Sequence, residues 1–566
     1  MKLLHLSTLA LGLSLMLTGC SKLGSLSADN FTVTPNPLEA VGGKVTATID
    51  GRFPEKYMKK KAVVSVIPVL RYDGGEAVGQ RATFQGEKVL GNDQTISYRV
   101  GGNYTMKTTF DYVPAMRESQ LYLTFDAMQG KKHVTLPEVK VADGVLATAT
   151  LLARTIATAS TEIAPDAYQH VIAEKQQAQI KYLIQQSKVR SSELTTTSVT
   201  DFVRTLRDIK ADQRSFQLDG IEVSAYASPD GNIGLNTQLA EAREQSASKY
   251  VKDQLHKVGL EADLDSRYTA EDWEGFQSLV SASNIQDKEV ILRVLSMYKD
   301  PEEREQQIRH LSAGFTDLAD EILPELRRSR MTIHYNIIGR SDSEIQQQYA
   351  ADASRLSVEE LLYAATLTDD DAARADIYTT ATRLYPTDYR AYNNLGCLAY
   401  ARGDKAAAKA WLDRAEQIQQ GTTEVNTNRA ILALADGQVA EAADYLASAT
   451  TACAYNEVLG QLLIAEGRYP QAATAMAGVS SNSAALAHIM AKDYASASRV
   501  LDSLSALDAT TDYLRAIVAA RTAKESKALE YLRAAVARDA SLKTLAAHDL
   551  EFVTLFADSD FQQIVK

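Results

Sequence analysis

The chain has 566 residues, a length that suits about three or four domains, with a formal net charge of −12 and a pI of 5.3. An acidic balance of this kind argues against nucleic-acid binding, which leaves a basic footprint. Cys397 and Cys453 fall inside helical patterns without metal-ligand spacing, so both read as buried thiols and neither a metal nor a cofactor is expected.

The opening "MKLLHLSTLALGLSLMLTGC" has a positive start at Lys2 and an apolar stretch from Leu3 to Leu17. That stretch has the length of a secretory signal rather than a membrane span. Its end, Leu17-Thr18-Gly19-Cys20, resembles a bacterial lipobox. The resemblance implies a signal over 1–19 and a mature N-terminus at Cys20 carrying diacylglycerol and a further acyl chain, a combination that anchors stably. Ser21 follows instead of Asp, and no acidic cluster comes after it. In the lipoprotein family this implies the outer membrane of a Gram-negative bacterium, with the protein facing the periplasm. No later apolar run is long enough to span a bilayer.

After a linker at 20–29, residues 30–151 form short runs rich in β-branched and aromatic residues, among them "KVTATID", "AVVSVIPVL", "TMKTTFDYV" and "QLYLTFDA". Gly- and Asp-containing breaks separate them, and the spacing predicts an immunoglobulin-like β-sandwich without the Cys-Trp-Cys signature. A connector of mixed helical and extended character spans 152–177. From 178 to 340 the pattern is α/β. "AQIKYLIQQ" reads as a strand, Ser198 to Asp201 as a capping box before an amphipathic helix, and "FQLDGIEVSAYAS" as a strand. A long helix opening near Asn236 closes at Gly259, a helical insertion spans about 270–326, and "RRSRMTIHYNI" returns as a strand.

Between strand and long helix lies "AYASPDGNIGLNTQLAEAREQSASKYV". A helix N-terminus favours an anion, and Arg243 adds a two-pronged donor for the same carboxylate. Tyr226, Gly231, Asn236, Leu239 and Arg243 stand in the register of the peptidoglycan-binding domain of outer-membrane protein A, and "LRRSRMTIHY" resembles that family's closing strand. The resemblance covers about 178–338, interrupted by the insertion. It implies that Arg243 holds the carboxylate of diaminopimelate in the peptidoglycan stem, with Asn236 in the same site. Where the family has an Asp for the amino group, this chain has Ser228, a neutral acceptor. Asp230 either swings in as the substitute acid or only shapes the Pro229-Asp230-Gly231 turn. The expected outcome is that the fold and groove are retained while affinity for peptidoglycan is weakened, altered or lost.

After a linker at 341–356, residues 357–566 are helical and repetitive. Ala408, Ala442, Ala472, Ala497 and Ala528 are each followed four residues later by Leu or Met, and Gly403, Gly437 and Gly467 precede the first three by five. The best copy, "DYRAYNNLGCLAYARGDKAAAKAWLDRAEQI", resembles the tetratricopeptide repeat, a helix–turn–helix unit of about 34 residues. In that family first-helix residues line the concave face, so Asn393 and Asn394 are the candidates for contact with a partner protein, and Tyr392 fills a packing position. No phosphate-binding loop, Gly-x-Ser-x-Gly elbow or His-Glu-x-x-His is present, and Trp273 reads as an anchor of the insertion core. These features together predict a non-enzymatic envelope scaffold or adapter. The alternatives are a simple anchor between outer membrane and peptidoglycan, or an accessory subunit of a secretion, adhesin-assembly or uptake machine exposed at the surface.

Overall fold

The computed structural model describes residues 23–285, 287–310 and 318–566, so Cys20 and the signal lie outside the described residues. The chain divides into two units: everything up to Pro165 together with Thr368–Lys566, and the segment Asp166–Leu367 between them.

In the first unit two β-sheets enclose one apolar core. The strand Lys44–Phe53 alternates inward Val45, Ala47, Ile49 and Phe53 with outward polar residues, and pairs antiparallel with Gly102–Asp111 along its whole length. From the other sheet, Ala62–Tyr72 supplies Val64 and Val66, and its antiparallel partner Gln120–Gln129 supplies Leu121 and Leu123. The expected connector does not leave this unit at residue 152. A short helix, Leu152–Ile156, and the extended residues after it run into a helical array at the C-terminal end of the chain.

That array is a tetratricopeptide-like stack of helical hairpins. The first helices of five successive hairpins are Tyr389–Ala401, Thr423–Ala435, Tyr455–Ala465, Asn482–Met490 and Ala509–Arg521. Their partners are Lys405–Ile418, Val439–Ala447, Tyr469–Ala475, Tyr494–Ser503 and Glu525–Arg538. The repeated alanines are buried where the two helices of each hairpin meet. A Cβ on Gly396 would stand 2.9 Å from Leu412 Cγ, and one on Gly460, in the same place two repeats on, 2.4 Å from Met476 Cγ. Each first helix ends on a left-handed residue, and the first three are Gly403, Gly437 and Gly467 with φ of 78°, 75° and 78°. In the last two repeats the same position, five before the alanine, is held by Lys492 and Ala523 at φ 63° and 54°.

The second unit is a four-stranded sheet in the order Val171–Lys181, Arg328–Ile338, Phe216–Tyr226, Leu264–Thr269, with only the last pair parallel. Helices Thr197–Ala211 and Ile233–Val258 cover one face. Val199, Phe202, Leu206 and Ile209 recur at helical spacing and pack on Ile180, Val223 and Ile333. The insertion forms its own small core of Phe276, Val280, Ile291, Leu295 and Leu326, with Trp273 packed against it.

Several boundaries differ from the sequence reading. The first strand begins at Val171 rather than 178, because it pairs with Arg328–Ile338 from Val171↔Ile338 to Lys181↔Arg328 although its first residues are exposed on both faces. Ser198 forms no capping box: helix Thr197–Ala211 starts two residues earlier than a Ser198 cap would place it, behind an extended Thr196. The long helix starts at Ile233, where Asn232 accepts from the Gly234 amide at 2.8 Å. The expected linker at 341–356 holds a helix, Asp342–Asp352, with a complete Ser341–Glu344 capping box. The helix Val358–Ala364, expected to open the repeats, belongs to the second unit, where buried Glu360 pairs with Arg340 at 2.6 Å. Cys397 is buried as expected, but Cys453 is exposed.

Candidate functional site

Two places bring the sequence candidates together, one in each unit. In the first unit the inner face of the hairpin stack holds an extended peptide, and that peptide is the chain's own residues 159–165. Asn393 and Asn394 sit on the first helix of the clearest repeat, buried, and both are bonded to it. Asn394 Oδ1 accepts from the Ala164 amide at 2.8 Å, and its Nδ2 donates to the Ala164 carbonyl at 3.0 Å. Asn428 does the same to Glu162, accepting from its amide at 2.8 Å and donating to its carbonyl at 2.7 Å. Asn393 Nδ2 adds a second donor to the Glu162 carbonyl at 2.9 Å. Asn394 and Asn428 thus each present to one peptide residue the donor and acceptor that a neighbouring β-strand would present.

The Glu162 carboxylate is itself held, accepting from the backbone amides of Cys453 at 3.2 Å and Ala454 at 2.9 Å. Cys397 donates to the Glu162 carbonyl at 3.4 Å, and burial pushes its thiol up to about 12, so it is a packed hydrogen-bonding group rather than a nucleophile. Upstream, Tyr400 donates to the Ile156 carbonyl at 2.8 Å, while Arg154 pairs with Asp539 at 2.9 Å at the far end of the stack. The candidate partner residues are therefore occupied in cis: Asn393 and Asn394 read a peptide, and the peptide is internal. Tyr392 packs against Ala415, Val425 and Trp411, as the repeat pattern predicts. Asn428 and Glu162 were missed. Asn428 lies 34 residues after Asn394, the interval that separates Ala408 from Ala442, so the repeat register carried the signal.

In the second unit the turn after strand Phe216–Tyr226 meets the start of helix Ile233–Val258. Asn236 Nδ2 donates to the Gly231 carbonyl at 3.1 Å, so Asn236 closes the turn. Arg243 is 1 % exposed, and burial lowers its guanidinium to about 10, which leaves it cationic at neutral pH. Its Nε donates to the Gln186 carbonyl at 3.0 Å and its Nη1 to the Tyr226 carbonyl at 2.9 Å. Asp230 points inward: its carboxylate accepts from Arg327 at 3.1 Å and from the Ser228 hydroxyl, which Arg327 Nε also reaches at 3.3 Å. Arg309 of the insertion donates to the Asp230 carbonyl at 2.8 Å.

Ser228, Asp230, Asn236 and Arg243 therefore line one cavity of about 60 Å³, together with Arg327 and Leu239. Among the lining residues the buried Arg243 and the half-buried Arg327 guanidinium groups face a single carboxylate, so one positive charge is uncompensated at a helix N-terminus, a setting that favours a bound carboxylate. Arg327 was missed by residue-level reasoning, although it stands in the quoted "LRRSRMTIHY". Its role depends on a pairing across 97 residues of chain. Among the described residues no group of His, Cys, Asp or Glu is placed to hold a metal ion, and no helix is long and apolar enough to cross a membrane.

No family model matches the chain. No curated protein matches it either. Solved structures similar to it include a tetratricopeptide repeat protein from Parabacteroides merdae, at 12% identity over 44% of this chain and 98% of that one, with a TM-score of 0.29. PilF of Pseudomonas aeruginosa is similar at 15% identity over 39% of this chain and all of its own, with a TM-score of 0.28. Yeast Tom70 is similar at 10% identity over 66% and 86%, with a TM-score of 0.25. These scores are low, and the reading of the C-terminal region as tetratricopeptide-like rests on the chain's own repeat intervals and hairpin packing.

Proposed function

We propose that the chain is a non-enzymatic scaffold of the cell envelope. In this reading acyl groups on Cys20 anchor it to the outer membrane facing the periplasm, the central unit is OmpA-like and turns toward peptidoglycan, and the hairpin stack docks partner proteins. The observation that carries the scaffold role is the stack of five tetratricopeptide-like hairpins itself, whose inner groove is already taken, with Asn394 and Asn428 each paired to both backbone groups of Ala164 and Glu162 respectively. Because that groove is filled by residues 159–165, partners dock on the outer helices. Two repeat-equivalent clefts lie there, one lined by Asp413, Arg429 and Tyr445, the other by Asp502, Arg515 and Tyr531. Arg429 stacks 4.5 Å from the Tyr445 ring centre.

The central site supports a carboxylate ligand through Arg243, with the amino-group recognition of the family weakened because Asp230 is already paired with Arg327. Sedimentation of the purified chain with insoluble peptidoglycan, with and without Arg243→Ala, tests this. The expected result is weak binding that the variant abolishes; no binding by either protein removes the wall-facing role, and equal binding removes the site. The mass of the mature N-terminal peptide tests acylation of Cys20. Site-specific cross-linking from Tyr445 and Tyr531 in cells tests the outer clefts, where adducts from either position and none from Asn394 are expected. Removing the stack altogether is uninformative, since it shares its core with Leu151, Leu152 and Ile156.

A further inference from the structure

The β-sheets of the first unit have two unlike ends. At one, the hairpin Val41–Lys44 packs on the helical stack, where a Cβ on Gly42 would stand 2.9 Å from the Glu466 carbonyl oxygen. The strand Lys44–Phe53 then runs ten residues, about 30 Å at the usual strand rise, to the opposite end. Four loops meet there: 54–61, 87–93, 97–101 and 130–132. Backbone hydrogen bonds fasten them together, from Lys56 N to the Tyr98 carbonyl at 2.6 Å, Lys88 N to Lys60 at 2.7 Å and Gly130 N to Lys61 at 2.9 Å.

These loops run against the charge of the whole chain. They carry eight basic residues, including Lys56, Lys60, Lys61, Lys88 and Arg99, against three acidic ones, Glu55, Glu87 and Asp93, on a chain of net charge −12. The basic residues are mostly exposed, as are two aliphatic side chains at the loop tips: Leu90 is 103 % and Val100 71 % exposed. Ser97 Oγ donates to Glu87 at 3.0 Å and so ties the loops that carry these two tips. The strand Phe31–Thr34 begins opposite Gly51, beside this same end, so the chain upstream of Phe31 enters the sandwich from here.

We propose that this end of the sandwich is a membrane-docking surface that lies on an anionic phospholipid bilayer, its lysines among the headgroups and Leu90 and Val100 inserted at the acyl boundary. Charge complementarity selects the anionic surface, because each exposed lysine gains from the negative potential there. The aliphatic tips select a bilayer over a soluble polyanion, which offers them no apolar phase. The surface reinforces the proposed acyl anchor but does not need it, so the test uses a chain without acyl groups.

The chain from Ser21 onward, which contains every described residue, is sedimented with vesicles of phosphatidylcholine alone or mixed with phosphatidylglycerol. Binding is expected only to the mixed vesicles. The pair Lys60→Gln and Lys61→Gln weakens it about 25-fold, at about fivefold per lysine removed from the surface. Leu90→Asp weakens it at both low and high salt, and the pair Lys405→Gln and Lys409→Gln on the helical stack leaves it unchanged. Circular dichroism confirms that the loop variants are folded. Equal sedimentation with neutral vesicles, none with either, an equal loss from the stack pair, or no effect of Leu90→Asp overturns the proposal. Each of those results leaves acylation of Cys20 to stand or fall on the mass of the mature N-terminus.

Discussion

Substituting Asn428→Ala tests whether the internal peptide is held by its backbone. The side-chain amide of Asn428 makes two hydrogen bonds to the Glu162 backbone, accepting from its N–H at 2.8 Å and donating to its carbonyl at 2.7 Å. After truncation the carbonyl keeps Asn393 Nδ2 at 2.9 Å and Cys397 Sγ at 3.4 Å, whereas the Glu162 N–H loses its acceptor. One net hydrogen bond is worth about 1 kcal/mol and one orphaned buried donor costs about 1–3 kcal/mol, so docking of this segment weakens by about 2–4 kcal/mol. Native-state hydrogen exchange reads this directly. The Glu162 amide is expected to exchange about thirtyfold to a thousandfold faster, if its opening is local. Asn394→Ala is expected to act on the Ala164 amide in the same way, since Asn394 Oδ1 is the acceptor there. If the Glu162 amide in Asn428→Ala exchanges at the parent rate, the ladder does not hold the segment and the account of the groove is wrong.

Two further predictions concern the C-terminal repeats. Ala523→Gly relieves a left-handed residue at φ 54°, worth about 1–2 kcal/mol for a residue with Cβ, against about 0.5–1 kcal/mol of extra backbone entropy in the unfolded chain. A net gain of about 0.5–1 kcal/mol in urea unfolding is expected, and Gly403→Ala, at φ 78°, moves stability the other way. Asp549 is raised to about 6, first by burial and then by the neighbouring Glu551 charge, while Tyr513 donates to it at 2.8 Å. Its folded value lies above the unfolded one, so the folded state binds the proton more tightly. Stability is therefore favoured at acid pH and falls as pH rises from about 4 to about 6, by on the order of 3 kcal/mol. Asp549→Asn is expected to flatten that slope and raise the urea midpoint at neutral pH; an unchanged slope refutes the assignment.

Much of the architecture was legible because it is written in local periodicity. Alternation in "KVTATID" places Val45, Ala47 and Ile49 on one face whatever lies opposite, and a helix that buries Val199, Phe202, Leu206 and Ile209 must repeat them at helical spacing. The Gly-before-Ala spacing marked the hairpins for the same reason, since close helices exclude bulk and a sharp helix end favours a left-handed residue. The Tyr226 to Arg243 spacing likewise placed a turn, a helix start and a guanidinium at one cavity. Where the first residues of a strand are exposed on both faces, as from Val171 to Lys175, no such pattern exists, and the strand is legible only from Ala178.

What the sequence determined by itself is thus most of the elements, the repeat register and part of the candidate residues, because each depends on neighbours within a few turns or one repeat. Only the tertiary structure decided what those residues hold. It placed residues 159–165 against Asn393, Asn394 and Asn428, 230 to 266 positions away, and set Arg327 across from Asp230. Backbone groups are the same in every residue, so a side chain that pairs with a peptide's N–H and C=O leaves no mark in the peptide's own composition. The partner is chosen by the path of the chain.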